Sequence, residues 1–223
     1  MSTSEQSVAP PPPAVVRRLK SPAALALADL AALFEDLQTA LRCCERLVTE
    51  LNTREPDDLA LEAYWTTAVL SYARCFTPGD RGVGLTEADI TATGLAGDVL
   101  GWHRVLLQMR DRYSHPAVNP RESFSVGASQ DRTGHADGVA VTSARQPPLD
   151  EVSVRQTGAI AYALSGLVDE RLTAQQGIVF TAVAAMARPA LDVLPMLHLA
   201  PQEEEQAESP PPPKGAPSKE GTS

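Results

Sequence analysis

The chain has 223 residues and a formal net charge of −9. Residues 201–223 contribute −3 and residues 1–22 contribute +2, which leaves −8 on the part between them. That charge argues against a broad grip on nucleic acid, which needs many cations set against phosphates. Aromatic residues make up only 4 % of the chain, too few for an extended base-stacking platform.

Residues 1–21 carry the run Pro10 to Pro13 and the basic residues Arg17, Arg18 and Lys20. Residues 200–223 carry Glu203, Glu204, Glu205 and the run Pro210 to Pro213. Neither end has apolar periodicity, so both read as disordered tails around one domain over 22–199. Cys43, Cys44 and Cys75 have no metal-ligand spacing and are expected as reduced thiols. No apolar run is long enough for a bilayer, and the start lacks the order of a signal peptide. A cytoplasmic protein without membrane contact, metal or cofactor is expected.

The first helix is expected from Ser21-Pro22, with serine as cap and proline at the first helical position. Leu30, Leu33, Leu37, Leu41, Cys44, Leu47 and Leu51 then recur at three and four residues, and the stripe ends near Asn52. Asp57 or Asp58 opens a second helix that runs to about Phe76, with Leu61, Trp65, Ala68 and Tyr72 on one face. The stretch from Thr77 to Gly84 breaks the pattern. Thr86 and Asp89 form a capping-box pair for a short helix to Ala92. A third main helix is expected over Leu95 to Tyr113, with the stripe Leu95, Val99, Trp102, Leu106, Met109 and Tyr113.

From 122 to 144 the pattern alternates: Phe124, Val126 and Ala128, then Val139 and Val141. This reads as a two-stranded hairpin, with turn formers from Gly127 to Gly138 between the strands. A two-stranded ribbon needs something to pack on, so it is expected to lie against the helices. Asp150 or Ser153 opens the last long helix, whose face is Ile160, Leu164, Leu167 or Val168, Leu172, Ile178 or Val179, Ala182 or Val183, and Met186. Pro189 should kink or end it, with a short helix continuing to Leu197. The expected fold is all-α: an antiparallel bundle of about four main helices with a small β-hairpin insert.

The chemistry-bearing residues gather at the end of the third main helix. Arg110, Asp111, Arg112 and His115 precede Pro116, which disfavours helical geometry at His115. Asp111 stands four residues before His115 and could pair with it. A histidine suits proton transfer near neutral pH, and an arginine suits a phosphate and its developing charge. Together they could serve metal-independent RNA cleavage, the ribose 2′-hydroxyl attacking the neighbouring phosphate. One histidine per chain is sparse for this, so two chains meeting with their motifs face to face make better sense. His103, seven residues before Arg110, and Arg112, two residues after it, are candidates to support the Arg110–His115 pair from outside it.

The run Arg110-Asp-Arg-Tyr-Ser-His115 resembles the motif of the HEPN superfamily, small helical bundles in which arginine is followed after four to six residues by histidine. The resemblance implies a homodimer with two motifs in one cleft. It implies either a metal-independent endoribonuclease of a toxin–antitoxin or phage-defence system or an RNA-binding module. Arg110 and His115 would carry the chemistry, and Asp111 would orient His115. The rival reading is a non-catalytic helical module that recruits a protein partner through its faces or proline-rich tails. A third is a small-molecule pocket bordered by His103 and Trp102.

Overall fold

The computed structural model describes residues 15–197, apart from 78, 80, 118, 121, 146 and 147. The chain is mainly helical and divides into two units. One holds the described residues up to Leu19 and from Met186 onward; the other is Lys20–Ala185.

In the first unit β1 (Val16–Arg17) pairs antiparallel with β4 (Met196–Leu197). The Arg17 guanidinium donates to the Leu194 carbonyl at 2.9 Å. Residues 16 and 17 were expected in a disordered tail, and this pairing corrects that part of the expectation. The remainder of both expected tails lies outside the described residues. A short helix, α6 (Arg188–Asp192), precedes β4. Pro189 sits in its first turn, where its missing N–H costs no hydrogen bond. The short helix expected to reach Leu197 therefore stops at Asp192, and a strand follows.

The second unit begins with α1 (Pro22–Leu51), whose cap is Ser21: its Oγ accepts from the Ala24 N–H. Next come α2 (Asp58–Arg74), capped by Asp57, and α3 (Glu87–Ala92), closed by the Thr86–Asp89 capping box. The helix α4 (Val99–Ser114) is capped by Asp98, which accepts from the Gly101 N–H at 2.9 Å. It was expected to start at Leu95. Gly94 (φ +66°) and Gly97 (φ +95°) take left-handed geometry instead and hold the chain out of the helix until Asp98. The longest helix, α5 (Glu151–Ala184), is capped by Asp150. It ends well short of Pro189.

Helix α1 is central. Leu30, Leu33, Leu37, Ala40, Cys43, Cys44 and Leu47 are buried along it, close to the expected stripe. Asn52 reaches the Glu151 carboxylate at one end, and Gln175 donates to the Ala23 carbonyl at the other. Helices α1 and α5 therefore run antiparallel. They approach closely where Gly158 faces Cys44: a Cβ built on Gly158 would stand 3.3 Å from the Cys44 Cβ. Of the two residues expected at this position of the face, Val179 is buried and Ile178 is exposed. All three cysteines are buried free thiols, and burial pushes Cys44 and Cys75 up to about 12.

The strands β2 (Glu122–Gln130) and β3 (Ala136–Arg145) form the expected hairpin, but its turn is only residues 131–135. Gly127 and Gly138 lie inside the strands, opposite Ala140 and Ser129. The ribbon was expected to bury its apolar face on the helices. It does not: Phe124 is 60 % exposed, Val126 73 %, Val139 76 % and Val141 68 %.

Two carboxylates break the apolar pattern of the core. Asp36 lies between Leu33 and Leu37 and is buried; its Oδ1 accepts from Arg74 at 2.6 and 3.0 Å, and its Oδ2 from Arg81 at 2.9 Å. Asp89 is likewise buried and pairs with Arg171 of α5. Both pairs tie a loop or short helix to a long one, and a buried carboxylate needs such partners.

Candidate functional site

The end of α4 is shaped by residues 112–117. The His115 N–H bonds the Arg112 carbonyl at 3.4 Å, and the helix then stops as His115 turns extended (φ −80°, ψ 121°) ahead of Pro116. One turn earlier the Ser114 hydroxyl donates to the Arg110 carbonyl at 2.8 Å. Four backbone carbonyls are left without helical partners at such an end, which favours nearby cations. Arg112 provides one; its side chain is exposed.

His115 is exposed, and its Nδ1 accepts a hydrogen bond from the Ala117 N–H at 3.1 Å. In a neutral imidazole the proton must then sit on Nε2, so Nε2 is the donor offered to solvent. Arg110 is half-buried. Its Nε donates to Asp111 Oδ1 at 2.9 Å and one terminal nitrogen donates to the Thr77 hydroxyl at 2.9 Å. That hydroxyl in turn donates to the Ala73 carbonyl at 2.8 Å, anchoring Arg110 to the end of α2.

These contacts redistribute the expected roles. Asp111 was expected to orient His115; its carboxylate is taken by the adjacent guanidinium instead. Among the described residues no hydrogen bond or ion pair joins Asp111 to His115, because His115 has left the helix and its ring turns to Ala117. Asp111 is 65 % exposed in its side chain, and so exposed a pair holds the guanidinium by about 1 kcal/mol or less. A phosphate could displace it.

His103 is a core residue at 2 % exposure. Its Nδ1 is 2.9 Å from the Tyr72 hydroxyl, and its ring packs on Phe76 with centroids 4.4 Å apart. Its partner is thus Tyr72 and not a motif residue. Burial holds its pKa below the ordinary imidazole value of 6.5, opposed by the charge of Glu87 and aided by that of Arg104. The unfolded chain takes up a proton at His103 near pH 6.5 while the folded chain resists it, so stability falls as pH drops below about 6.5. Urea midpoints between pH 7 and pH 5 should show a decline that is shallower in His103→Gln. Equal slopes would contradict the assignment.

Arg104 is held by Glu87 through two hydrogen bonds of 3.0 and 3.1 Å, which reduces the basic character of this helix face. A cleft of about 110 Å³ is lined by Leu95, Gly97, Asp98, Trp102, Gln156 and Ile160, and His103 does not border it. The Trp102 indole N–H donates to Thr157 at 3.0 Å. Among the described residues no helix is long and apolar enough to cross a membrane, and no group of three or more His, Cys, Asp or Glu is placed to hold a metal ion.

Thr77 is the site residue that sequence reasoning missed. It lies 33 positions from Arg110, in a loop defined only as a pattern break, and no local signal marks it. Asp36 had a visible signal, an acid set inside an apolar helical stripe. The chain matches no known family model, no curated protein and no solved structure.

Proposed function

We propose that the end of α4 is a metal-independent RNA-cleaving site of the HEPN type, with Arg110 and His115 as its reacting groups and a homodimer as its working form. The observation that carries this reading is the state of His115. It is exposed at the helix end, with Nδ1 held by the Ala117 N–H and Nε2 open to solvent. Arg110 stands one turn before the helix end, half-buried and anchored to Thr77.

The chemistry this arrangement offers is transesterification. The ribose 2′-oxygen attacks the adjacent phosphorus and gives up its proton to water or to a second imidazole. The bond from phosphorus to the 5′-oxygen breaks, and His115, first protonated to the imidazolium with its Nδ1 released from the Ala117 N–H, supplies a proton from Nε2 to that leaving oxygen and returns to the neutral ring. Arg110 exchanges Asp111 for the non-bridging oxygens and neutralises the charge that grows on them. The products are a 2′,3′-cyclic phosphate and a 5′-hydroxyl. Asp111 holds Arg110 when no substrate is bound. The acidic chain disfavours indiscriminate RNA binding, so a defined substrate fits better than bulk RNA.

The test is product chemistry. Digestion of a mixed RNA pool in EDTA should yield 2′,3′-cyclic phosphate ends. Cleavage that appears only with added divalent metal, or that leaves 3′-hydroxyl ends, rejects the mechanism.

A second reading, a non-catalytic helical interaction module, is favoured by one observation: the Arg110 guanidinium already has protein partners in Asp111 and Thr77. On that reading His115→Ala changes neither partner binding nor stability.

A further inference from the structure

Thr77, the anchor of Arg110, stands just past the end of α2, and α1 holds the chain that follows it from two points. Asp29 and Asp36 lie seven residues apart, about two turns along α1, and both reach this loop. Asp29 Oδ2 accepts from the Gly82 N–H at 2.8 Å, and Asp36 Oδ2 accepts from Arg81 at 2.9 Å. Asp36 Oδ1 meanwhile accepts from Arg74, in the last turn of α2, at 2.6 and 3.0 Å. One buried carboxylate thus joins both ends of the stretch 74–81, and Thr77 lies within it. Stability alone does not account for Arg81. Its Nη1 is shut off from solvent and has no hydrogen-bond partner among the described residues, and an orphan donor of this kind costs free energy. Asp36 already has two bonds from Arg74, and a buried ion pair is often no more stable than apolar packing. What Arg81 adds is closure: a stretch held at both ends loses backbone freedom, and chain just past a helix end otherwise frays.

We propose that Asp36 and Arg81 are positioning residues for Arg110 and act through Thr77. They keep the Thr77 hydroxyl where it donates to the Ala73 carbonyl at 2.8 Å and accepts from Arg110 at 2.9 Å. The guanidinium is then fixed on its Thr77 side, while the exposed Asp111 on its other side can give way to a phosphate. A cation that must meet a developing charge loses much of its effect when it is displaced by about 1 Å, so the fixed side matters. The use of this position in RNA cleavage rests on the function proposed above; the dependence of Arg110 on Arg81 does not.

The experiment uses the full chain and two readouts. The first needs no RNA: phenylglyoxal modifies arginines, and mass spectrometry gives the rate at each one. Arg110, with 28 % of its side chain exposed, should react slowly in the wild type and about fivefold faster in Arg81→Met and in Thr77→Val. Arg112, exposed and outside this network, should keep its rate in every variant. Arg81→Lys keeps a cation on Asp36 and removes the orphan nitrogen, so it should restore the slow rate. Arg81→Met leaves Arg74 on Asp36, so the buried carboxylate keeps a partner. If that variant still misfolds, Asp29→Ala unties the same loop at Gly82 and should act in the same direction. The second readout is kinetic: on one RNA, Arg81→Met should lower kcat by about tenfold or more with KM within about twofold, and Arg81→Lys should recover most of it. Equal Arg110 reactivity in the wild type and a folded Arg81→Met overturns the proposal. So does a rise that Arg112 shares, which would mean general loosening. A wild type that modifies as expected but cuts no RNA removes the cleavage reading and leaves the positioning of Arg110 standing.

Discussion

Replacing His115 or Arg110 by alanine is expected to lower RNA cleavage by at least about 100-fold while leaving the fold intact. The size follows from what each group would do. A positioned proton donor contributes about 10²–10⁴ in rate, and loss of a cation from a charged transition state costs a similar factor. The fold should not respond, because His115 is exposed and its hydrogen bond to Ala117 is local. Its removal belongs with surface substitutions, within about 0.5 kcal/mol. Arg110→Lys keeps the charge but loses the fork that spans Asp111 and Thr77, so it should recover only part of the activity. Asp111→Asn is the informative control. If Asp111 merely holds Arg110 between turnovers, its loss should change the rate by no more than about fivefold, the value of an exposed pair. A 100-fold loss in Asp111→Asn would restore to it a direct role toward His115. Initial rates on one RNA, with melting curves for each variant, decide among these outcomes.

The largest stability effect is expected at Gly158. Helices α1 and α5 close on each other there, and a Cβ would meet Cys44 Cβ at 3.3 Å, Cys44 Sγ at 3.9 Å and Leu41 Cδ1 at 4.0 Å. The nearest of these atoms is fixed to the α1 backbone, so it cannot swing away. Gly158→Leu must push the helices apart, and overpacking of this kind costs about 3 kcal/mol. For a chain of this size that lowers the melting temperature by about 6–12 °C. Gly158→Ala is a sharper probe of the same contact. It gains about 1 kcal/mol of helix propensity and loses a comparable amount to the 3.3 Å approach, so the net change should be small. Thermal unfolding of the two variants tests the claim: a tolerated leucine would mean that α1 and α5 do not pack this closely.

The helix boundaries were legible because caps are local. Ser21 with Pro22, Asp57, the Thr86–Asp89 box and Asp150 each act within three residues, and each stands where the sequence places it. The start of α4 was misread because its apolar stripe continues through Leu95, while the backbone is decided by the positive φ of Gly94 and Gly97. The ribbon's strands were readable from alternation, but not what would cover them. The β1–β4 pair was invisible, since two-residue strands from opposite ends of the chain carry no periodicity. At the site, Pro116 announced the helix end and the release of His115. The choice of Arg110 as partner for Asp111, and of Thr77 as anchor for Arg110, depends on three-dimensional neighbours that spacing does not encode.

The most direct measurement is the cleavage rate of one mixed RNA pool in EDTA by the wild type and by His115→Ala, purified in parallel. Cutting by the wild type alone, with 2′,3′-cyclic phosphate ends, is the predicted result. Equal rates from the two proteins, or no cutting by a folded wild type, would contradict the account and leave Arg110 and His115 as the stabilised end of a helix.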